Sequence, residues 1–284
     1  MSTVLDREEY VEQAYFFRTF RERLAQNMPT QEVLATLDQE ILTTTRLPMA
    51  VQFLATEVKH SGVLATGFER LDHYFTPFQA FVVRQAEQEG LRFSMDTALL
   101  VLEREATYRA NNPTRPGLFV YQFETIARNR LGYWDGLTAM GEDPFYDADW
   151  RGYLETVRKS VGVVDFADLV YYRSEFAVME RRRRDAQYVA PIPILFGEKE
   201  GKIAKASRGR DPLFLFAALQ RQLNYPEVPR PKGKDDASAK LELMQQKLRE
   251  LEARLKLLES ETKGGPIDWS QFAKPDLLKD DDEE

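Results

Sequence analysis

Apolar residues recur at helical spacing over most of the first 190 positions of the chain. Tyr10, Val11, Ala14, Tyr15, Phe17 and Leu24 share one side of a 3.6-residue repeat, and Phe16 and Phe20 widen that stripe, so a deeply packed first helix is expected. Asp6 with Glu9 reads as its capping box, and Glu8 suits the positive end of the helix dipole. Asn27, Pro29 and Thr30 break and restart the chain, and Val33, Leu34, Leu37 and Ile41 mark a second helix. Pro48 fits the first turn of a third, which runs over Val51, Leu54, Ala55 and Val58 to a stop at Gly62. Leu64 to Glu89 is helical again, with Thr76–Pro77 as a kink or restart and Gly90 as terminator. Ser94 opens a helix through Leu99, Leu102 and Ala106 that ends near Asn111–Asn112–Pro113. Pro116 starts the next, with Phe119, Phe123, Ile126, Ala127 and Leu131 on one face. Asp143–Pro144 and Asp165 look like two further starts, the last helix running from Phe166 to about Gln187. Long helices with short breaks predict antiparallel neighbours, hence an all-α, multi-helix bundle-like domain over residues 1–225.

The pattern changes at Ala190. Residues 191–206 read as a possible small β-hairpin, with Pro191 and Pro193 making its first arm an edge or an extended arm. Asp211–Pro212 supplies the cap and first turn of a helix over Leu213 to Leu223. Residues 226–240 are rich in proline and charge and lack periodicity, which predicts a linker.

A leucine ladder follows, predicting a short coiled-coil helix over 241–261. Leu241, Leu248 and Leu255 fall at a positions and Met244, Leu251 and Leu258 at d positions. In a parallel pair the g residues Lys247 and Arg254 meet the partner's e residues Glu252 and Glu259, while antiparallel pairing sets like charges together. The expectation is parallel self-association. Leucine at both core positions leaves dimer and trimer open, and Leu243 and Leu257 keep open a solitary helix folded back on the body. Residues 262–284 read as a flexible, disordered acidic tail. Its Trp269, Phe272, Leu277 and Leu278 are candidate anchors for a protein partner, or for the chain's own body.

Composition narrows the function classes. Of 284 residues 43 % are hydrophobic and 30 % charged, enough apolar material for a core. No stretch approaches the roughly 18 apolar residues of a membrane span, and the N-terminus has no secretory pattern. A cytosolic, membrane-free protein is expected. The absence of cysteine removes disulfides, thiolate catalysis and cysteine metal sites.

Net charge is −7, of which residues 276–284 supply −5, yet residues 181–210 carry +6. Arg181, Arg182, Arg183, Arg184, Lys199, Lys202, Lys205, Arg208 and Arg210 make this stretch a candidate for phosphate or for an acidic protein surface. Tyr188 and Phe196 are the aromatics within it, so nucleic acid is an alternative partner but not the favoured one.

Glu57-x-x-His60 has the spacing of di-iron carboxylate bundles, and Glu69 with His73 would add ligands. Arg70 stands three residues before His73, where a second Glu-x-x-His needs a glutamate, so no metal and no cofactor is expected. Gly197 to Ile203 echoes a phosphate loop with one residue too few, and Asp147–Asp149 begins a calcium loop that fails at Arg151 and Arg158. Tyr133, Trp134, Phe145, Tyr146, Trp150 and Tyr153 are expected to form a core corner. The reading that emerges is a non-enzymatic interaction or scaffold protein. It self-associates through the coiled coil and docks partners by its tail or its basic stretch. The alternatives are a nucleic-acid-associated protein using 181–210 and a metal-dependent bundle enzyme using Glu57 and His60.

Overall fold

The computed structural model describes residues 4–88, 93–230 and 244. The chain divides into two units, Met1–Pro231 and Lys232–Glu284. In the second unit only Met244 is described, helical and exposed. Leu241, Leu248, Leu251, Leu255, Leu258, Trp269, Phe272, Leu277 and Leu278, like Gly90, lie outside the described residues.

The first unit is built from helices: α1 (Arg7–Ala25), α2 (Thr30–Leu37), α3 (Leu47–Ser61), α4 (Leu64–Arg70), α5 (Pro77–Glu87), α6 (Met95–Ala110), α7 (Arg115–Asn129), α8 (Tyr133–Gly141), α9 (Ala148–Ser160), α10 (Phe166–Tyr172), α11 (Glu175–Arg182), α12 (Glu198–Ser207) and α13 (Pro212–Leu223). None of them is long and apolar enough to cross a membrane. The caps explain most boundaries. Thr76 and Gln79 form a reciprocal capping box at α5, and Ser94, Thr114, Asp147 and Ser174 cap α6, α7, α9 and α11. Gly62 closes α3 at φ +73°, a left-handed turn that costs glycine no steric strain.

Packing follows the aromatic pattern. α1 packs along α6, where Ala98 and Ala106 are fully buried, and it puts Phe16, Phe17 and Phe20 into the core, with Phe17 stacked on Phe68 of α4 at 6.3 Å. α7 is buried almost all round, from Gly117 to Ile126, which makes it the central helix. Its Phe123 ring stacks on Phe166 at 4.1 Å, and its Phe119 ring meets Trp150, Tyr153 and Phe196.

Asp6 makes no side-chain cap bond. Glu9 instead accepts from the Arg46 amide at 2.9 Å and the Tyr74 hydroxyl at 2.7 Å, tying α1 to the start of α3 and the turn after α4. The long helix expected from Phe166 to Gln187 is two helices, because Ser174 accepts from the Ala177 amide and restarts the chain. The hairpin over 191–206 does not form. Residues 191–196 are an extended arm, and the second expected strand is helix α12. Glu198 and Glu200 suit its first turn, Lys202 pairs with Glu198 one turn back, and Gly201 and Ala204 pack inward at helical spacing. The arm makes a single parallel bridge, Ser174 to Phe196, among the described residues. Gly201 is a packing glycine. A Cβ there would stand 2.2 Å from Ser174 Oγ and 2.7 Å from Phe176 Cβ, which explains the glycine that echoed a phosphate loop. The body also extends past residue 225. Val228 is buried, and Tyr225 donates to Glu124 at 2.6 Å, so residues 226–230 belong to the body and not to a linker.

Candidate functional site

The basic stretch becomes one face built from the end of α10, α11, the arm and α12. The arm is pinned at its far end: the Leu195 and Phe196 amides donate to the Arg173 carbonyl at 2.8 and 3.1 Å, and the Glu175 amide donates back to the Phe196 carbonyl at 3.0 Å. Phe196, 1 % exposed, is the apolar bolt, and it enters the ring cluster of Phe119, Trp150 and Tyr153. At the near end Arg182 Nε donates to the Tyr188 carbonyl at 3.2 Å, and Arg181 lies over the Tyr188 ring at 5.2 Å.

Aromatic rings underlie the cations. Arg208 lies 3.9 Å from the Tyr171 ring centre and 5.3 Å from that of Tyr172, and Lys202 and Lys205 lie 5.7 and 5.6 Å from the Phe176 ring. Tyr171, Tyr172 and Phe176 precede the basic run in sequence, so reading the run alone misses them. Three of the nine bases have acidic neighbours: Lys202 with Glu198 at 2.6 Å, Lys205 with Glu180, and Arg208 with Asp168 at 2.6 Å. Lys205 and then the Tyr171 hydroxyl hold the Glu180 carboxyl below its usual range, and Lys202 does the same for Glu198. The Arg208–Asp168 contact has ion-pair distance without hydrogen-bond alignment, and Arg208 Nη2 is buried with no acceptor among the described residues. Arg184, Lys199 and Arg210 are exposed and make no ion pair among the described residues, and Arg183 lies within the field of Glu180 and Glu198. The face therefore keeps an excess of positive charge after its own acids are counted.

The Glu57 set does not converge. Glu57 is bound by Arg70 at 2.7 Å, Glu69 by Arg84 at 3.1 Å, and His60 and His73 are exposed. No three His, Asp or Glu side chains among the described residues stand close enough to hold a metal. Asp147 caps α9 and pairs with Arg115 at 3.3 Å, a structural use that accounts for half of the calcium-loop echo. Of the aromatic corner, Tyr146, Trp150 and Tyr153 are core, Phe145 is half-buried, and Tyr133 and Trp134 are exposed. Trp134 carries Arg158 over its ring at 4.4 Å.

A second polar cluster escaped the sequence reading. Arg109 on α6, 4 % exposed, donates from Nε and Nη2 to Glu105 at 3.2 and 2.9 Å and from Nη2 to Asp143. Gln122 donates to the same Glu105 oxygen at 2.7 Å and accepts from Tyr146 at 2.8 Å. Burial, and after it the Asp143 charge, pushes the Glu105 carboxyl above its usual range against the pull of Arg109. Burial alone drags the Arg109 guanidinium down, but Asp143 and Glu105 together carry it well above its ordinary value. The legible signal was Glu105 and Arg109 at the same helical register as the apolar Leu102 and Ala106, which places charge on a buried stripe.

Compared with known protein families, curated proteins and solved structures, the chain matches none.

Proposed function

We propose that this chain is a non-enzymatic interaction protein whose helical body docks an acidic protein surface on the α10–α12 face and whose copies are gathered by the 241–258 ladder. The observation that carries the docking half is the charge of Arg184, Lys199 and Arg210, exposed and without an ion pair among the described residues, on a face already stiffened by its own pairs. Pre-ordered cations lose little entropy on meeting carboxylates, and their combined field speeds encounter. An acidic protein fits better than a polynucleotide. The rings lie beneath the face's own cations and offer no bare platform for bases. Glu180 and Glu198, set among the bases, repel a continuous phosphate backbone. Self-association would raise the effective concentration of each weak face.

The test compares the full chain with a variant in which Arg181 to Arg184 are all glutamine. Fluorescence anisotropy reads binding of a glutamate-rich peptide and of a short DNA duplex across a salt series. The peptide should bind the parent, release as salt rises, and fail to bind the variant. Equal binding by both chains removes the reading, and tighter binding of the duplex replaces it with the nucleic-acid alternative. Light scattering on the same parent and on a chain carrying Leu248→Lys and Leu255→Lys checks the second half, where mass should fall to that of a monomer.

A further inference from the structure

Where the first turn of α1 meets the last turn of α6 the surface opens into a cavity of about 410 Å³. Its walls include Leu5, Arg7, Tyr10, Arg109, Pro113 and Phe145. We propose that this cavity binds a small monocarboxylate with a flat apolar body, its carboxylate held between Arg109 and Arg7. The site is separate from the basic face and does not depend on the function proposed for it.

Arg109 is the reason. An arginine 4 % exposed stands in the cavity wall, with Nε and Nη2 committed behind it to Glu105 and Asp143. Arg109 lines the cavity, and its Nη1, a double donor, makes no hydrogen bond among the described residues. Neither Glu105 nor Asp143 lines the cavity, and among the described lining residues none is acidic. An entering anion thus meets the cation before it meets the cation's counter-charges.

Arg7 adds a second guanidinium at the rim. Its Nε is fixed on the Ala110 carbonyl at 3.1 Å, which aims an otherwise mobile side chain. The Tyr10 hydroxyl accepts from the Leu5 amide at 3.3 Å, and its own proton has no acceptor among the described residues. Three donors from two helices therefore border one space.

The chemical class follows from the walls. The Tyr10 and Phe145 rings flank Arg109, with centres 5.8 and 5.9 Å from its guanidinium carbon, and both rings line the cavity. Between rings, Leu5 and Pro113, a planar apolar body gains more than a polar one. A carboxylate matches the planar guanidinium edge. Asp143 and Glu105 already set their charge against Arg109, so each added unit of negative charge on a ligand costs more, and a dianion such as phosphate fits worse than a monocarboxylate.

Phenylacetate serves as the probe, phenylacetamide as its neutral counterpart, and inorganic phosphate as the dianion. Calorimetry and nitrogen–proton NMR on the full chain read binding and place it. Phenylacetate should bind about tenfold more tightly than the amide, the scale of one charge-assisted hydrogen bond, and phosphate should not bind. Signals of Tyr10, Ala110 and Phe145 should move. Arg7 is exposed, and Arg7→Gln leaves the core intact, so a loss of about threefold to tenfold in that variant reports the rim contact and not unfolding. Equal affinity for acid and amide overturns the proposal. So do shifts confined to another part of the molecule, unchanged affinity in Arg7→Gln, or no binding of phenylacetate.

Discussion

The protein uses the same ionic chemistry in two opposite settings. In the Arg109 cluster the side chains of Arg109, Glu105 and Asp143 are at most 1 % exposed, and every bond is fixed by packing. On the α10–α12 face, Lys202 and Glu198 are 55 % and 41 % exposed. A buried ion pair has given up its water and cannot change partners without disturbing the core. An exposed pair is screened, adds little to stability and can be exchanged for a ligand's charge. The contrast separates ions whose partners the fold fixes, where Arg109 can at most add a ligand to the bonds it keeps, from ions that can trade partners, a distinction that charge counting along the chain cannot draw.

The comparison breaks most readily at Arg109. Arg109→Met leaves two carboxylates buried without a cation and should cost about 3–5 kcal/mol, read as a lower urea midpoint by tryptophan fluorescence. Replacing Glu105 and Asp143 by apolar residues in the same chain should restore much of the loss. A midpoint like the parent's would place the cluster with the exposed pairs.

A smaller effect comes from pH. Burial, then Asp143, raises the Glu105 carboxyl above its ordinary value of 4.5, so the folded state keeps the proton that the unfolded chain releases. That contribution is complete below about pH 4.5 and is lost as pH climbs from there through the folded value. The slope from this group is at most about 1.4 kcal/mol per pH unit. Glu105→Gln should remove that slope and gain on the parent as pH rises above about 4.5. Parallel stability curves for the two proteins would refute the assignment. The smallest effect belongs to the face: Lys202→Ala should leave the urea midpoint unchanged while weakening salt-sensitive capture of an acidic peptide.

Much of the helical framework was legible because spacing and caps spoke together. Pro48 with Gly62, Thr76–Pro77, Ser94, and Asp211–Pro212 each mark an observed boundary. Legibility failed where a distant residue decided the local outcome. Glu9 looks like a cap until Tyr74, far along the chain, claims its carboxylate. Pro191 to Phe196 reads as a strand, but no partner strand follows, because the lysines and alanine after Gly201 satisfy a helix as well as they satisfy a hairpin arm. Pro226 and Pro229 suggest that a linker begins at once after α13, yet Tyr225 and Val228 anchor that stretch to the body. The Arg109 cluster shows the same limit. Asp143 reads as the cap of a helix start, and only the fold brings it to α6.

The arm between α11 and α12 is held at both ends, by Tyr188 near its start and by Phe196 at its finish, while Val189, Ile192 and Ile194 between them stay open to solvent. A backbone cut there would sever the chain without releasing either half, since α12 remains packed on α10 and α11. Limited digestion should therefore yield a nicked protein that elutes whole from a sizing column and separates only in detergent. For the same reason the arm is where a reporter tag can be spliced in with the rest of the molecule undisturbed.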